Sequence, residues 1–175
     1  VWPISIEVSS CRMILNQDGS IQLQLAETEI GQGADTAFSQ MAADTLGLSH
    51  EKIHIISCQD TDVTPFGTGA YGSRQTYVGG MAVRKTALKL KAMILDHAQE
   101  LTRMPACDLD IIAGNIVHIP TDKVLMTLAD LAAAVLYSPS RQNISPPKRP
   151  LSASLTLTAL AVLSPRSKWI FPWQK

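Results

Sequence analysis

The fold of this chain is decided by TEIGQG at residues 28–33 and DTDVTPFGTGAYGSRQTYVGG at residues 60–80. Each stretch is followed by apolar residues at helical spacing, so each is predicted to open a helix. The start of a helix has unsatisfied N–H groups and a positive dipole end, and glycine lets a ligand approach the backbone closely. Either loop alone is also typical of a plain connection, but the pair indicates a site for an anionic, phosphate-bearing ligand.

Several side chains in these stretches have the chemistry for such a ligand. Gln32, Ser73 and Gln75 offer hydrogen bonds to polar ligand atoms, and the planar guanidinium of Arg74 suits a phosphate. We expect these four side chains and Gly72 to converge on one crevice between the two helix starts.

The segment GTGAYG at residues 67–72 matches the glycine pattern of a dinucleotide-binding loop, but its context does not. In that fold the glycines follow a strand directly, and an acidic residue comes about 20 residues later. Here residues 58–66 separate the predicted strand from the glycines, and no Asp or Glu occurs between Asp62 and Asp96. A Rossmann site is therefore not favoured.

The remaining sequence alternates between hairpin and helix patterns, which predicts an α+β fold of mixed β-hairpins packed with two or three helices. Strands are predicted at 4–8, 12–15, 21–25, 53–56, 109–112 and 116–119. Helices are predicted between Gly33 and Gly47, over 77–102, and from a Thr127 cap to residue 137. The stripe that the middle helix is expected to bury consists of Val78, Met81, Ala82, Leu88, Leu95, Ala98 and Leu101.

The composition of the 175 residues argues against several classes of function. Lysine plus arginine (15) balances aspartate plus glutamate (15), which gives no electrostatic reason to expect nucleic acid or an anionic membrane as partner. No apolar run is long enough to span a bilayer. Cys11, Cys58 and Cys107 are far apart, so we expect buried thiols in a reducing, cytoplasmic compartment. The four histidines lack metal-ligand spacing, and Glu27 and Glu29 are expected to be solvated or to cap a helix.

The last part of the sequence differs in character from the rest. The buried pattern is lost after Ser138, the segment at 145–150 (SPPKRP) is linker-like, and residues 151–163 alternate only weakly. We therefore divide the chain into a domain at 1–143 and an aberrant or disordered tail at 144–175, for which a frameshift is one explanation. Because the sequence starts at Val1 inside a strand-like run, we expect it to be an internal piece of a longer protein.

The two glycine stretches also occur in a recognisable order, with a helix and a strand between them. This combination, over about residues 1–140, resembles the molybdopterin-binding region of the xanthine dehydrogenase, aldehyde oxidase and carbon monoxide dehydrogenase family. The resemblance implies that one side of the cofactor is lined by Ile30, Gly31 and Gln32. It implies that the pterin and its phosphate-bearing end are held by Gly72, Ser73, Arg74 and Gln75.

In that family the cofactor carries the oxidation chemistry, and its dithiolene sulfurs hold the molybdenum, so the resemblance implies no metal ligand from this chain. It implies oxidation of a small-molecule substrate, at a purine or aldehyde carbon, with water-derived oxygen. The electrons would leave through iron–sulfur clusters to FAD on partner subunits or domains. The family's general-base glutamate belongs to a motif that this sequence lacks. We therefore assign no catalytic residue, expect the isolated chain to be inactive, and expect the missing portions of the molybdenum subunit as partners.

Two other interpretations stay open at this point. One is a truncated, non-enzymatic remnant that binds nothing well. The other is a generic phosphate- or anion-binding module, which the two glycine loops alone would also fit. The molybdenum and pterin content of the purified chain separates the family interpretation from both.

Overall fold

The computed structural model describes residues 8–57, 60–137 and 155–162. Its first layer is a four-stranded sheet in the order β3-β2-β1-β7, made of β1 (Val8–Leu15), β2 (Ile21–Leu25), β3 (Ile53–Ile56) and β7 (Leu155–Val162). The strand β1 runs antiparallel to β2 and β7, whereas β2 and β3 are parallel. Parallel neighbours need a crossover connection, and here it is the helix α1 (Ala34–Leu46).

The hairpin of β1 and β2 forms where the alternating pattern and the turn residues predict it. Gly19 takes a φ of 77°, and the carboxylate of Asp18 accepts hydrogen bonds from the N–H and the hydroxyl of Ser20. The cross-strand pairs Met13–Leu23 and Leu15–Ile21 are buried and face the helices. The strand predicted at 12–15 is the end of a longer strand, and the one predicted at 4–8 lies outside the described residues except for its last position.

The helices α1 and α2 (Gly80–Thr102) pack against each other, and α2 also packs against β1 and β7. As predicted, α1 ends at Gly47, which takes the left-handed conformation with a φ of 76°. The helix predicted from residue 77 begins instead as a π-helical turn, Gln75–Gly79, and becomes α-helical at Gly80. π-Helical turns are rare in proteins, and those that occur often lie at functional sites.

The buried face of α2 differs from the predicted stripe. Leu88 and Leu101 were expected inside, but they are 49% and 42% exposed. Leu88 lies on the opposite face of the helix, and Leu101 lies in its last turn. Because α2 lies close to both α1 and β1, its buried face includes small side chains and is formed by Ala82, Val83, Thr86, Ala87, Leu90, Ile94 and Ala98.

A second, three-stranded antiparallel sheet follows α2 in the chain. It consists of β4 (Leu109–Ile112), β5 (Asn115–His118) and β6 (Lys123–Thr127) in that order, and α3 (Leu128–Tyr137) completes the fold. The β4–β5 hairpin was predicted, whereas β6 was not. The predicted cap of α3 is confirmed: the Thr127 hydroxyl and N–H donate to the carboxylate of Asp130, and the Asp130 N–H donates back to the hydroxyl.

The two layers meet at Gly47. Its carbonyl accepts a hydrogen bond from the N–H of Gly114 at 3.2 Å, and a Cβ on Gly47 would stand 1.9 Å from the carbonyl oxygen of Ile111. One continuous core includes residues from both sheets and from all three helices. The fold is therefore α+β, as predicted, with three helices and two small sheets.

Part of the predicted tail forms a regular element. The strand β7 pairs with β1 over eight residues, from Val8 opposite Val162 to Leu15 opposite Leu155. The rest of residues 144–175 lies outside the described residues, and the division at residue 143 stays a prediction. None of the helices in the described part of the chain has both the length and the apolarity needed to cross a membrane.

Candidate functional site

Both glycine loops leave the same edge of the first sheet. Residues 26–33 connect β2 to α1, and residues 57–74 connect β3 to the π-helical turn that opens α2. Because β2 and β3 are parallel neighbours, their carboxyl ends lie side by side, and loops that follow such ends meet above one edge of the sheet. The topology thus explains why two stretches separated by a helix and a strand lie together.

The contact between the loops is made by two glutamine side chains. The amide N–H of Gln32 donates to the side-chain oxygen of Gln75 and, at 3.0 Å, to the carbonyl of Thr28. The amide of Gln75 donates to the same carbonyl at 2.6 Å, and the N–H of Ile30 donates to the Gln32 side-chain oxygen at 2.7 Å. Of the five residues expected to converge, the structure thus joins Gln32 and Gln75 directly, and the carbonyl of Thr28 is their common acceptor.

The longer loop is also fixed to the sheet beneath it. The Ser10 hydroxyl on β1 donates to the carbonyl of Phe66 at 2.5 Å, and the Gln24 amide on β2 donates to the carbonyl of Val63 at 3.1 Å. Both polar side chains are buried on strands, at positions where an apolar residue would leave these carbonyls without a donor.

At four glycines, no side chain covers the backbone at the surface of the loops. A Cβ added to any of them would meet nothing within 4 Å, and all four have a positive φ: Gly31, Gly33, Gly69 and Gly72. Ser73 next to Gly72 also has a positive φ of 61°, which costs a residue with a side chain of the order of 1–2 kcal/mol. The backbone of the predicted site residues Gly31, Gly72 and Ser73 is thus accessible from solvent.

Glu29 caps the first loop, which confirms one of the two roles expected for it. Its carboxylate accepts hydrogen bonds from the N–H groups of Gly31, Gly33 and Asp35 at 2.7, 3.1 and 3.0 Å. The bond from Asp35, followed by those from Gly33 and Gly31, holds the pKa of Glu29 below its ordinary value of 4.5. The N–H groups at the start of α1 that were expected to meet a ligand anion therefore already bind the chain's own carboxylate.

Arg74 and Glu27 form a buried ion pair. The side chains are 1% and 0% exposed, and Nη1 of Arg74 lies 3.0 and 2.9 Å from the two carboxylate oxygens of Glu27. The same nitrogen donates to the carbonyl of Gly69 at 2.7 Å, and Nη2 donates to the carbonyl of Val8 at 2.5 Å. Glu27 was expected to be solvated or to cap a helix, which is wrong because it neutralises this buried cation. The guanidinium expected to meet a phosphate points into the protein.

Apolar side chains surround the loops on the solvent side. Ile30 and Phe66 are both 67% exposed, and the other large exposed apolar residues of this region are Val63, Tyr71 and Tyr77. A cleft of about 310 Å³ between the loops is lined by Ala26, Thr28, Thr61, Thr64, Pro65, Phe66, Gly67 and Gly69. A larger cleft of about 690 Å³ lies at the other end of α1, beside Gly47. Neither cleft is lined by the predicted site residues, but the smaller one lies between the two loops that contain them.

Two other features bear on the chemistry of the site. Within the described residues, no group of three or more His, Cys, Asp or Glu side chains is placed to hold a metal ion. Of the cysteines, Cys11 is buried as expected, whereas Cys107 is exposed, and Cys58 lies outside the described residues. Burial raises the pKa of the Cys11 thiol to about 12, despite its hydrogen bond to Thr86, so it stays protonated near neutral pH.

The sequence of the chain is similar to proteins of one class. The profile of the molybdopterin cofactor-binding domain matches residues 2–161, which include most of β7. The xanthine dehydrogenase molybdenum-binding subunit of Escherichia coli O157:H7 is 48% identical over 141 residues, which make up 80% of this chain and 19% of that subunit. The carbon monoxide dehydrogenase large chain of Hydrogenophaga pseudoflava is 31% identical over 130 residues, 74% of this chain and 16% of that protein.

Solved structures show the same fold. Quinoline 2-oxidoreductase from Pseudomonas putida 86 covers 90% of this chain with a TM-score of 0.74 and 23% identity, over 19% of its own length. Carbon monoxide dehydrogenase from Oligotropha carboxidovorans covers 91% with a TM-score of 0.71 and 27% identity, over 18% of its length. The chain thus spans about a fifth of each of these proteins.

Proposed function

Because this chain belongs to the family of molybdopterin cofactor-binding domains, we propose that its two glycine loops form one side of the cofactor site of a molybdenum hydroxylase. The cofactor would lie against Ile30, Gly31, Gln32, Gly72, Ser73 and Gln75, while the buried side chain of Arg74, also expected from the resemblance to touch the cofactor, lies beneath the loop. The observation that carries this proposal is the hydrogen bond between Gln32 and Gln75, which joins the two loops beside an open glycine surface.

The residues fit a flat, heteroatom-rich group. At Gly31, Gly69 and Gly72 the space that a Cβ would occupy is empty, so a planar ring can approach the backbone closely. The amides of Gln32 and Gln75 carry donors and acceptors, which suits the alternating donors and acceptors of a pterin. The exposed side chains of Ile30 and Phe66 offer apolar contact to its faces.

The work of this chain in the reaction would be to bind and orient. When bound, the molybdenum cofactor supplies the two-electron oxidation of a substrate carbon. The glutamine pair, already held by the carbonyl of Thr28, would fix the orientation of the pterin ring without a large loss of side-chain entropy. Because Glu29 already accepts hydrogen bonds from the N–H groups at the start of α1, the negative groups of the cofactor would be bound by the loop at Gly72 and Ser73 or by other parts of the longer protein.

We extend the proposal to the whole protein, of which this chain would be about a fifth. The 48% identity to a xanthine dehydrogenase subunit supports oxidation of a purine with water-derived oxygen. We propose an aldehyde carbon as the alternative substrate and the cytoplasm as the compartment. The partners would be the remaining parts of the molybdenum subunit, an iron–sulfur protein and a FAD protein. The described residues hold no cysteine cluster that could ligate an iron–sulfur cluster, so the electrons would leave through another polypeptide or region.

The test is the cofactor content of the full 175-residue chain, produced in cells that make the molybdenum cofactor. We expect both molybdenum, measured by mass spectrometry, and pterin, measured as its fluorescent oxidised form. Gln75→Leu should lower the pterin content about tenfold, because it removes an amide that joins the loops. Gln40→Leu, an equal change at an exposed position on α1, should leave the pterin content unchanged.

The alternatives appear as distinct outcomes of the same experiment. A folded chain that holds neither molybdenum nor pterin but binds inorganic phosphate would establish a generic anion-binding module. A folded chain that holds none of the three would be a non-enzymatic remnant. Either result would overturn the proposal.

A further inference from the structure

We propose that Arg74 is a positioning residue for the cofactor loop and not a ligand of the cofactor's phosphate. Through its ion pair with Glu27 it holds residues 69–73 in the conformation that faces the ligand. This inference rests on the proposed function, since that function defines what the loop receives. It reverses the role that the resemblance gives to the guanidinium.

The guanidinium ties together three separate segments of the chain. It binds Glu27 in the loop that follows β2, the carbonyl of Gly69 in the second loop, and the carbonyl of Val8 at the start of β1. A planar fork of donors can make all these bonds at once, whereas an ammonium group is a point charge that cannot. Arg74 also lies over the ring of Tyr71, with 5.6 Å between the guanidinium carbon and the ring centroid.

The conformation that this arrangement holds is a strained one. Gly69, Gly72 and Ser73 all have positive φ values, of 104°, 57° and 61°. A serine stays in that region only when the surrounding structure determines it. Arg74 follows Ser73 directly, and its side chain returns beneath the loop to the carbonyl of Gly69. The hydrogen bond from the Arg74 side chain to the carbonyl of Gly69 therefore joins the two ends of the strained segment.

Glycines around the ion pair leave it little freedom to move. A Cβ on Gly79, in the π-helical turn, would stand 2.7 Å from Cγ of Glu27, and a Cβ on Gly67 would stand 2.7 Å from Cβ of Ala26. Such distances are shorter than any ordinary contact, so both positions depend on glycine. The π-helical turn and the loop therefore close tightly on the Glu27 side of the pair.

The burial of Arg74 also changes the electrostatics expected of the site. Arg74 is the single basic residue in the sequence from 60 to 80, and residues 28–33 contain none. With its charge neutralised by Glu27, the loop would recognise an anion through backbone N–H groups and side-chain dipoles. We therefore expect the cofactor content to change little with salt, whereas a direct phosphate–arginine contact at the surface would be weakened by salt.

The experiment separates the two roles by removing the partner and keeping the arginine. In the full chain, Glu27→Gln leaves Arg74 in place but breaks its ion pair. A positioning role predicts that the pterin content falls about tenfold or more. A direct phosphate contact predicts an unchanged or higher pterin content, because a competing carboxylate is gone. Glu51→Gln, which removes an exposed charge, serves as the control and should change nothing.

A second readout does not require the cofactor. Trypsin should not cut after Arg74 in the folded wild-type chain, because the side chain is buried. It should cut there in Glu27→Gln, at concentrations that leave Glu51→Gln intact. If Glu27→Gln does not fold, Gly79→Ala displaces Glu27 while it retains both charged groups, and it should show the same loss of pterin and the same cleavage.

The outcomes distinguish this inference from the proposed function. A wild-type chain without pterin overturns the proposed function, while cleavage after Arg74 still reports whether Glu27 holds the loop. A wild-type chain with pterin, combined with Glu27→Gln and Gly79→Ala variants that fold, retain pterin and resist trypsin, overturns the positioning role of Arg74.

Discussion

The junction at Gly47 allows a stability prediction that can be worked out from distances. Replacing Gly47 with alanine places a Cβ 1.9 Å from the carbonyl oxygen of Ile111, whereas ordinary contact begins at 3.4 Å. The β4–β5 hairpin would have to retreat by about 1.5 Å, the difference between these distances. That movement separates the N–H of Gly114 from the carbonyl of Gly47, which are 3.2 Å apart in the wild-type chain.

Three costs add up in the Gly47→Ala variant. A side chain at a φ of 76° costs about 1–2 kcal/mol, overpacking costs about 1–3 kcal/mol, and a lost backbone hydrogen bond costs about 0.5–1.5 kcal/mol. We expect the free energy of unfolding to fall by about 2.5–6.5 kcal/mol, a large share of the 5–15 kcal/mol typical of a domain. The melting temperature should fall by roughly 5–25 °C.

Gly33→Ala is the matched control. Gly33 has a φ of 82°, but a Cβ there meets nothing within 4 Å, so this variant has the conformational cost without the overlap. Urea unfolding followed by far-ultraviolet circular dichroism measures both variants in the same buffer. We expect Gly33→Ala to lose about 1–2 kcal/mol. Equal losses in the two variants would refute the steric reasoning and with it the view that Gly47 joins the two layers.

Three further predictions concern the acidic cap, the thiols and the tail. Because the pKa of Glu29 is lowered in the folded chain, its stabilising effect is present above pH 4.5 and is lost as the pH falls through the lower folded value. The difference in unfolding free energy between wild type and Glu29→Gln, measured in urea, should therefore shrink below pH 4.5. A difference that does not depend on pH would contradict the capping role. Iodoacetamide at pH 8 should label the exposed Cys107 in the native chain and Cys11 only after unfolding, as measured by mass spectrometry of peptides. Rapid labelling of Cys11 in the native chain would show that this thiol is not buried. Deleting residues 163–175 should change the melting temperature by less than about 2 °C. Deleting residues 155–175 removes the pairing between β7 and β1 and should lower the melting temperature by more than about 5 °C. Equal effects of the two deletions would show that the tail beyond β7 contributes to the fold.

Local pattern was enough to predict most elements, because their signals lie within a few residues of one another. The turn at Asp18-Gly19 and the cap of α3 at Thr127 are specified by side chains that bind the nearby backbone, and the end of α1 is specified by the left-handed conformation that Gly47 adopts. The meeting of the two loops was also expected, because both open helices and carry residues suited to one ligand. Its physical basis, the parallel pairing of β2 and β3, became apparent only in the structure.

The features that were missed depend on contacts between distant parts of the chain. Glu27 and Arg74 are far apart in the sequence, so neither pattern nor spacing indicates that each is the other's partner. Leu88 looks like a core residue by type, but the sheet and α1 pack against smaller side chains on the other face of α2. The strand β6 (KVLMT) lacks an alternating pattern, and it is held by its backbone pairing with β5 and by the packing of Leu125 and Met126 against the core. The strand β7 was likewise hidden by weak alternation.

The position of β7 beside β1 sets the order in which the first sheet can be completed during synthesis. The partner of β1 on one side, β2, leaves the ribosome immediately after it, together with the turn that joins them. The partner on the other side is β7, whose residues are translated only after every other element of the fold. Until then no other strand in the described part of the chain pairs with this edge of β1, and unpaired edges are templates for association with other nascent chains. The fold therefore has a high contact order at its central strand, and a chaperone that covers this edge during translation would raise the yield of soluble protein.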